Sequence, residues 1–290
     1  LPRRVLDVDT NLIKLVETEK SETGYYVALS HCWGKPENHP PKTTRTNYKD
    51  HLAGIPLAML PKTFQDAVKI TRHIGVQYLW IDSLCIVQDD ESDWNREAAN
   101  MGAIYEYARL TIAAAGAPDC KRGCFLSSDQ RTYPPDPSRV TVLSQGSNGL
   151  PVTVHFAAVP WEEYTPYFSE LGCRAWARQE WYLSRRLLLF TRGGISWKCR
   201  VSQFNEREVY YDMEEKREWE HLLQRYSEDD LTYETDRLVA LQGVANQVSP
   251  IMDGTYHFGL WTHMPELLFW MMRGPETDVK GPDAPSWSWA

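Results

Sequence analysis

The sequence predicts an α/β fold: a parallel sheet core flanked by helices, with a β-hairpin insertion and a mainly helical C-terminal extension. Three observations predict it. Short β-rich apolar runs alternate with stretches of helical period through the first half of the chain, the pattern of βαβ units. Those stretches end on turn and stop signals such as Gly34 and Gly75. Past residue 116 the pattern changes to two adjoining β-rich runs and then to helices.

The elements can be justified in order. "YYVALS" (Tyr25–Ser30) is a short strand closed by "HCWG", whose Gly34 suits a turn, and a polar, Pro-rich loop runs from Lys35 to about Asp50. "LPKTFQDAVKITRHIG" is helical, because Phe64, Ala67, Val68 and Thr71 recur at helical spacing and Gly75 supplies a stop. The strand "YLWI" (Tyr78–Ile81) ends in Asp82. The polar residues Gln88 to Asp93 follow, and a helix is predicted to begin at Trp94 with Asp93 as its N-cap. Its apolar face carries Ala98, Met101, Tyr105 and Ala108. "RLTIAAA" (Arg109–Ala115) is a third strand. Residues from about Gly116 to Pro160 read as an insertion holding a hairpin, "RVTVLS" with "LPVTVHF". "RAWARQEWYLSRRLLLFT" (Arg174–Thr191) reads as a helix through Leu183 and a strand at Leu187–Phe190, and "ISWKCR" as a strand paired with it. From Glu214 to Met272 the pattern is mainly helical, with "HFGLWTHMPELLFWMM" (His257–Met272) as an amphipathic packing helix and "PSWSWA" as packing.

Parallel units joined by right-handed crossovers put every strand's carboxyl end on one edge. That edge collects Ser30, His31, Cys32 and Trp33, then Asp82 and Ser83, then the loop after Ala115. Ligands of open α/β sheets bind outside those ends.

Composition limits the function. At 290 residues the chain can form one large domain or a domain with an extension. Hydrophobic residues at 42% and charged residues at 24% exclude a disordered chain. A net charge of −8 argues against non-specific binding of nucleic acid, although a local basic pocket for a phosphate stays open. Six scattered cysteines read as free thiols in a reducing cytosol. Cys120 and Cys124 form the only close pair, with no second Cys/His pair to complete a zinc site, so no metal is expected. The sequence shows no signal peptide and no run of about 18 apolar residues, so no membrane span is expected. A start without Met and an end at "SWSWA" read as an excised piece of a longer protein.

"YVALSHCWG", "LWIDSLCIVQDDESDWNREAANMGAIYEYARLTIAAAG" and "RAWARQEWYLS" occur in that order, followed by "YSEDDLTYETDRLVALQGVA", "GLW" and "APSWSWA". This series resembles the HET (heterokaryon incompatibility) domain of filamentous fungi, over about Tyr25 to Ser184. The resemblance implies a HET domain over residues 1–200: a TIR-like, flavodoxin-like core at about 22–116, the insertion at about 117–165 and a closing motif at about 172–200. A helical extension at 201–290 would pack on it, without a low-complexity linker. It also implies a cytoplasmic effector of fungal self/non-self recognition and innate immunity that triggers programmed cell death. An unknown upstream recognition protein and self-association on activation belong to that picture.

Many TIR domains hydrolyse NAD with a Glu that follows a Ser/Trp turn, and "SDWNRE" (Ser92–Glu97) is similar. Through that resemblance Glu97 becomes the candidate catalytic carboxylate, with NAD or a related nucleotide as substrate rather than cofactor. Cleaving the nicotinamide–ribose bond builds oxocarbenium character, which a carboxylate can stabilise. An acid in a helix's first turn also serves the macrodipole, so Glu97 has a structural reading as well. Around the substrate, Asp82 would meet ribose hydroxyls, Ser30 a phosphate, Trp33 a base ring and Arg174 the pyrophosphate, with His31 and Glu180 beside them. The family often carries Tyr at the position of His31, which argues against an essential imidazole. Arg174, Glu180 and Asp82 would equally suit structural ion pairs. Two alternatives remain: a Cys85 thiol with His31 as base, and a non-catalytic adaptor that signals death through protein contacts.

Overall fold

The computed structural model describes residues 1–126, 139–145, 151–157, 169–205, 219–231, 236–268, 285 and 288. In chain order the first half gives β1 (Arg4–Asp7), β2 (Leu12–Glu17), β3 (Tyr26–Ser30), α1 (Tyr48–Ala53), β4 (Ile55–Pro56), α2 (Lys62–His73), β5 (Tyr78–Ile81), α3 (Asp82–Cys85), α4 (Glu91–Tyr107) and β6 (Leu110–Ala113). The second half gives β7 (Arg139–Gln145), β8 (Pro151–Ala157), α5 (Ala175–Leu183), β9 (Arg186–Thr191), β10 (Gly194–Cys199), β11 (Gln203–Asn205), α6 (Trp219–Tyr226), α7 (Arg237–Val248), β12 (Tyr256–His257) and β13 (Leu260–Trp261).

The main sheet has nine strands in the order β11-β10-β9-β6-β3-β5-β1-β2-β4. Its centre is parallel: β3 pairs with β5 on one side and β6 on the other, and β6 pairs with β9. The chain therefore leaves β3 for one flank and returns across it to the other, which makes the β3/β6 gap a topological switch point. Antiparallel strands extend the sheet at both ends, β1 beside β5 and β10 beside β9. The strands β1 and β2 lie N-terminal to residue 22, where the sequence reading begins the core. The insertion forms the expected hairpin, β7 with β8.

The central strands are buried along their length because helices cover them. Phe64, Ala67 and Val68 of α2 and Ala98, Met101, Ile104 and Tyr105 of α4 share one core with Leu29, Trp80 and Ile112. Helix α2 stops where predicted: Gly75 at φ +71 lets its amide bond Arg72 O and that of Val76 bond Thr71 O, a Schellman closure.

Helix α5 joins the sheet to the extension. Trp181 packs with Ala113, Leu187 and Leu189, whereas Ala175 and Leu183 enter a second core with Trp219, Leu241 and Trp261. Gly243 of α7 admits this approach, since a Cβ there would stand 1.4 Å from Gln179 Nε2. Arg178 clamps Asp229 with two hydrogen bonds of 2.6 and 2.9 Å.

Two expectations are corrected. Helix α4 begins at Glu91, not Trp94, and its N-cap is Asp90, whose side chain accepts from the Asp93 amide at 3.1 Å. Asp93 does not cap; it turns inward to Arg4. The segment from His257 is not a helix: β12 and β13 pair as a short hairpin, and a 3-10 turn follows at Pro265–Leu268. Phe258 and Gly259, at φ +46 and +92, force that reversal. Residues 269–272 and most of "PSWSWA" lie outside the described residues.

Candidate functional site

The carboxyl ends of β3 and β5 bring six of the predicted residues together. Ser30 closes β3 and is fully buried. It accepts from the Trp181 indole at 3.0 Å, so its own proton is free for the Glu180 carboxyl that it faces. His31 follows, with Nδ1 3.7 Å from Asp82 Oδ1 and its ring edge-on to Phe64. Trp33 donates Nε1 to Asp82 Oδ2 at 2.8 Å, and Lys42 stands 4.6 Å over its ring. Arg174 donates Nη1 to the carbonyl of His31 at 2.9 Å. One side of this group is buried and the other open, because Asp82, Trp33, Lys42 and Arg174 are half-buried.

The inner wall is electrostatically stressed. Burial pushes the Glu180 carboxyl up to about 7, and the Asp82 charge adds to this, against the opposing pull of the Ser30 hydroxyl and Arg174. Its Oε2 is buried without a hydrogen-bond partner. Both ring nitrogens of His31 share that condition, and burial lowers its pKa, so the ring is neutral. Buried polar atoms are normally paired. Here three unpartnered atoms belong to two residues of one constellation.

Glu97 stands elsewhere. It is buried on α4 beside Arg4 of β1, 3.9 Å from Nη2. Arg4 donates Nε to Cys85 O at 2.6 Å and Nη2 to Asp93, which also accepts from the Val87 amide. Burial raises the Glu97 pKa; Arg4 lowers it, and Asp93 raises it further. The charges acting on Glu97 are those of Arg3, Arg4 and Asp93, and those acting on Glu180 are Asp82 and Arg174. These are two clusters, with Cys85 between them and exposed to the charges of both.

Other residues singled out by sequence have structural tasks. Gln88 donates to Asp82 O and Ile86 O, which ties down the loop after α3. Burial pushes the Cys85 thiol up to about 12, so it carries no thiolate at neutral pH. Among the described residues no group of three His, Cys, Asp or Glu side chains could hold a metal, and no helix is long and apolar enough to cross a membrane.

Sequence reasoning passed over three residues of the constellation. In the sequence Trp181 is one residue of the helix through Leu183, Tyr105 one member of an apolar helix face, and Lys42 part of a polar loop. The Tyr105 hydroxyl reaches Glu180 and the carbonyl of Leu29. The available signal was chemical: a buried Trp or Tyr needs a partner for its N–H or O–H.

A family model described as Heterokaryon incompatibility protein (HET) matches residues 26–184, from the first residue of β3 to the C-cap of α5. That span contains both clusters except Arg3 and Arg4. No curated protein and no solved structure matches the chain.

Proposed function

The chain belongs to the heterokaryon incompatibility family, and from that premise we propose that it is a cell-death effector that hydrolyses NAD to nicotinamide and an ADP-ribose product. The observation that carries this is the charge order at the β3/β5 ends. Asp82 and Glu180 form an acidic wall, and two half-buried cations stand at its edge, Lys42 over the Trp33 ring and Arg174 on the carbonyl of His31. NAD carries a cationic nicotinamide riboside and an anionic pyrophosphate, so its two charges would meet the wall and the cations respectively. Trp33 offers a ring beside them, and the site lies at strand ends, where α/β sheets hold nucleotides.

The reaction needs a carboxylate at the ribose, and the chain offers two buried ones, Glu97 from the family resemblance and Glu180. A requirement for self-association would hold the activity off until a recognition signal arrives. The test is to incubate the purified chain with NAD, at high concentration and with a crowding agent, and to follow nicotinamide release. Release in proportion to enzyme supports the proposal. Intact NAD under every assembly condition would remove it and favour the adaptor that signals through protein contacts.

A further inference from the structure

We propose that Glu180, and not Glu97, is the carboxylate that meets the ribose, a refinement that rests on the hydrolase reading above. The two residues differ in what surrounds them. Glu97 lies 3.9 Å from a buried guanidinium whose hydrogen bonds go to Cys85 and Asp93, so its cluster is neutralised from within by Arg4. Glu180 keeps a buried oxygen without a partner, and its neighbours are the open-sided Asp82 and Arg174. An unpaired carboxylate oxygen in a core costs stability and gives no packing that Leu or Met would not give. Its place here is explained if a substrate group completes its bonding.

The neighbours fit that use. Ser30, held by the Trp181 indole, is set to hydrogen-bond one side of the carboxyl. His31, neutral and with both nitrogens unpartnered, lines the same strand end and can take a ribose hydroxyl. Asp82 adds a second negative charge towards the developing oxocarbenium.

The step balances with water alone. A water oxygen forms a bond to ribose C1′ as the C1′–N1 bond to nicotinamide breaks. The bonding pair stays on the nicotinamide nitrogen and cancels its positive charge. The water's proton passes to the Glu180 carboxylate and then to solvent. Only the ionised Glu180 accepts that proton, so release by wild type rises with pH through about 7.

The test compares Glu180→Gln, Glu180→Asp and Glu97→Gln with wild type for nicotinamide release, NAD affinity and unfolding midpoint. Glu180→Gln is expected to lose at least about 100-fold in release while still binding NAD. Glu180→Asp is expected to keep partial activity, and Glu97→Gln to stay within about threefold of wild type once its lower stability is allowed for. Full activity of Glu180→Gln beside a dead but folded Glu97→Gln would overturn the assignment and leave the hydrolase reading intact. No release by wild type would overturn that reading and the assignment with it. If Glu180→Gln fails to fold, the wild-type pH profile decides: a flat rate between pH 5 and 8 would overturn the assignment.

Discussion

Glu97 on α4 and Glu180 on α5 are both buried acids whose pKa burial raises, yet the molecule treats them differently. Around Glu97 a guanidinium is taken into the core, and backbone groups of Cys85 and Val87 finish the bonding of Arg4 and Asp93. Around Glu180 the hydrogen bonds come from the Ser30 and Tyr105 hydroxyls, one carboxyl oxygen keeps no partner, and both nitrogens of His31 at the same strand end are unpartnered. The first is how a fold fastens two elements 89 residues apart, β1 to the start of α4. The second is a stress that packing alone does not resolve. The two acids share burial and differ in the groups around them: a buried guanidinium at Glu97, neutral hydroxyls and one unpartnered oxygen at Glu180.

The comparison can be broken most forcefully at Arg4. Arg4→Met would leave Asp93 and Glu97 without their buried cation, with only the exposed Arg3 and Arg96 near Asp93, and is expected to cost about 3–5 kcal/mol in urea unfolding. A loss below about 1 kcal/mol would mean that the clamp is not structural.

The next effect is a pH dependence. The folded-state pKa of Glu180, about 7, lies above its ordinary 4.5, so the folded chain binds that proton more tightly. The stability this provides is full below about 4.5 and is lost as pH rises through about 7. Wild type compared with Glu180→Gln should thus lose on the order of 3 kcal/mol between pH 4.5 and 8. A constant difference across that range would show that Glu180 is not stressed.

Gly243→Ala sharpens the comparison from the extension side. The added Cβ collides with Gln179 one position before Glu180, and a loss of about 1–3 kcal/mol is expected from overpacking. Nicotinamide release should fall with it, because α5 carries Glu180 and Arg174 is its N-cap residue. An unchanged unfolding midpoint would mean that Gln179 turns aside without cost. Cys85→Ser should have the smallest effect, about 1–2 kcal/mol for a hydroxyl in a thiol's place and no change in release. A folded but inactive Cys85→Ser would make the thiol the nucleophile.

How much of this could be read in the sequence follows the range of each interaction. The alternation around β3, α2 and β5 was legible because helical period and the Gly75 stop are local. The edge holding Ser30, His31, Trp33 and Asp82 was legible because parallel topology gathers strand ends without knowledge of any contact. Arg174 and Glu180 were legible as a polar motif, though not the meeting of Arg174 with His31, 143 residues earlier in the chain, or of Glu180 with Ser30. The strands β1 and β2 were not legible, because their worth lies in Arg4 finding Asp93 across the fold. The start of α4 misled because Asp90 and Asp93 are equally good caps by composition, and only the buried guanidinium decides which one turns inward. Near His257 the apolar spacing suited a helix, and the backbone reversal at Phe258 and Gly259 overrode it.

The most direct measurement is carbon NMR of glutamate carboxyls in the intact chain, titrated over pH with and without NAD and assigned with Glu97→Gln and Glu180→Gln. Glu180 is expected to titrate near 7 in the free protein and to shift downward when NAD brings its cationic ribose beside it, while Glu97 is unmoved by NAD. A Glu180 signal that titrates in the ordinary carboxylate range, or an NAD response at Glu97 instead, would contradict the assignment.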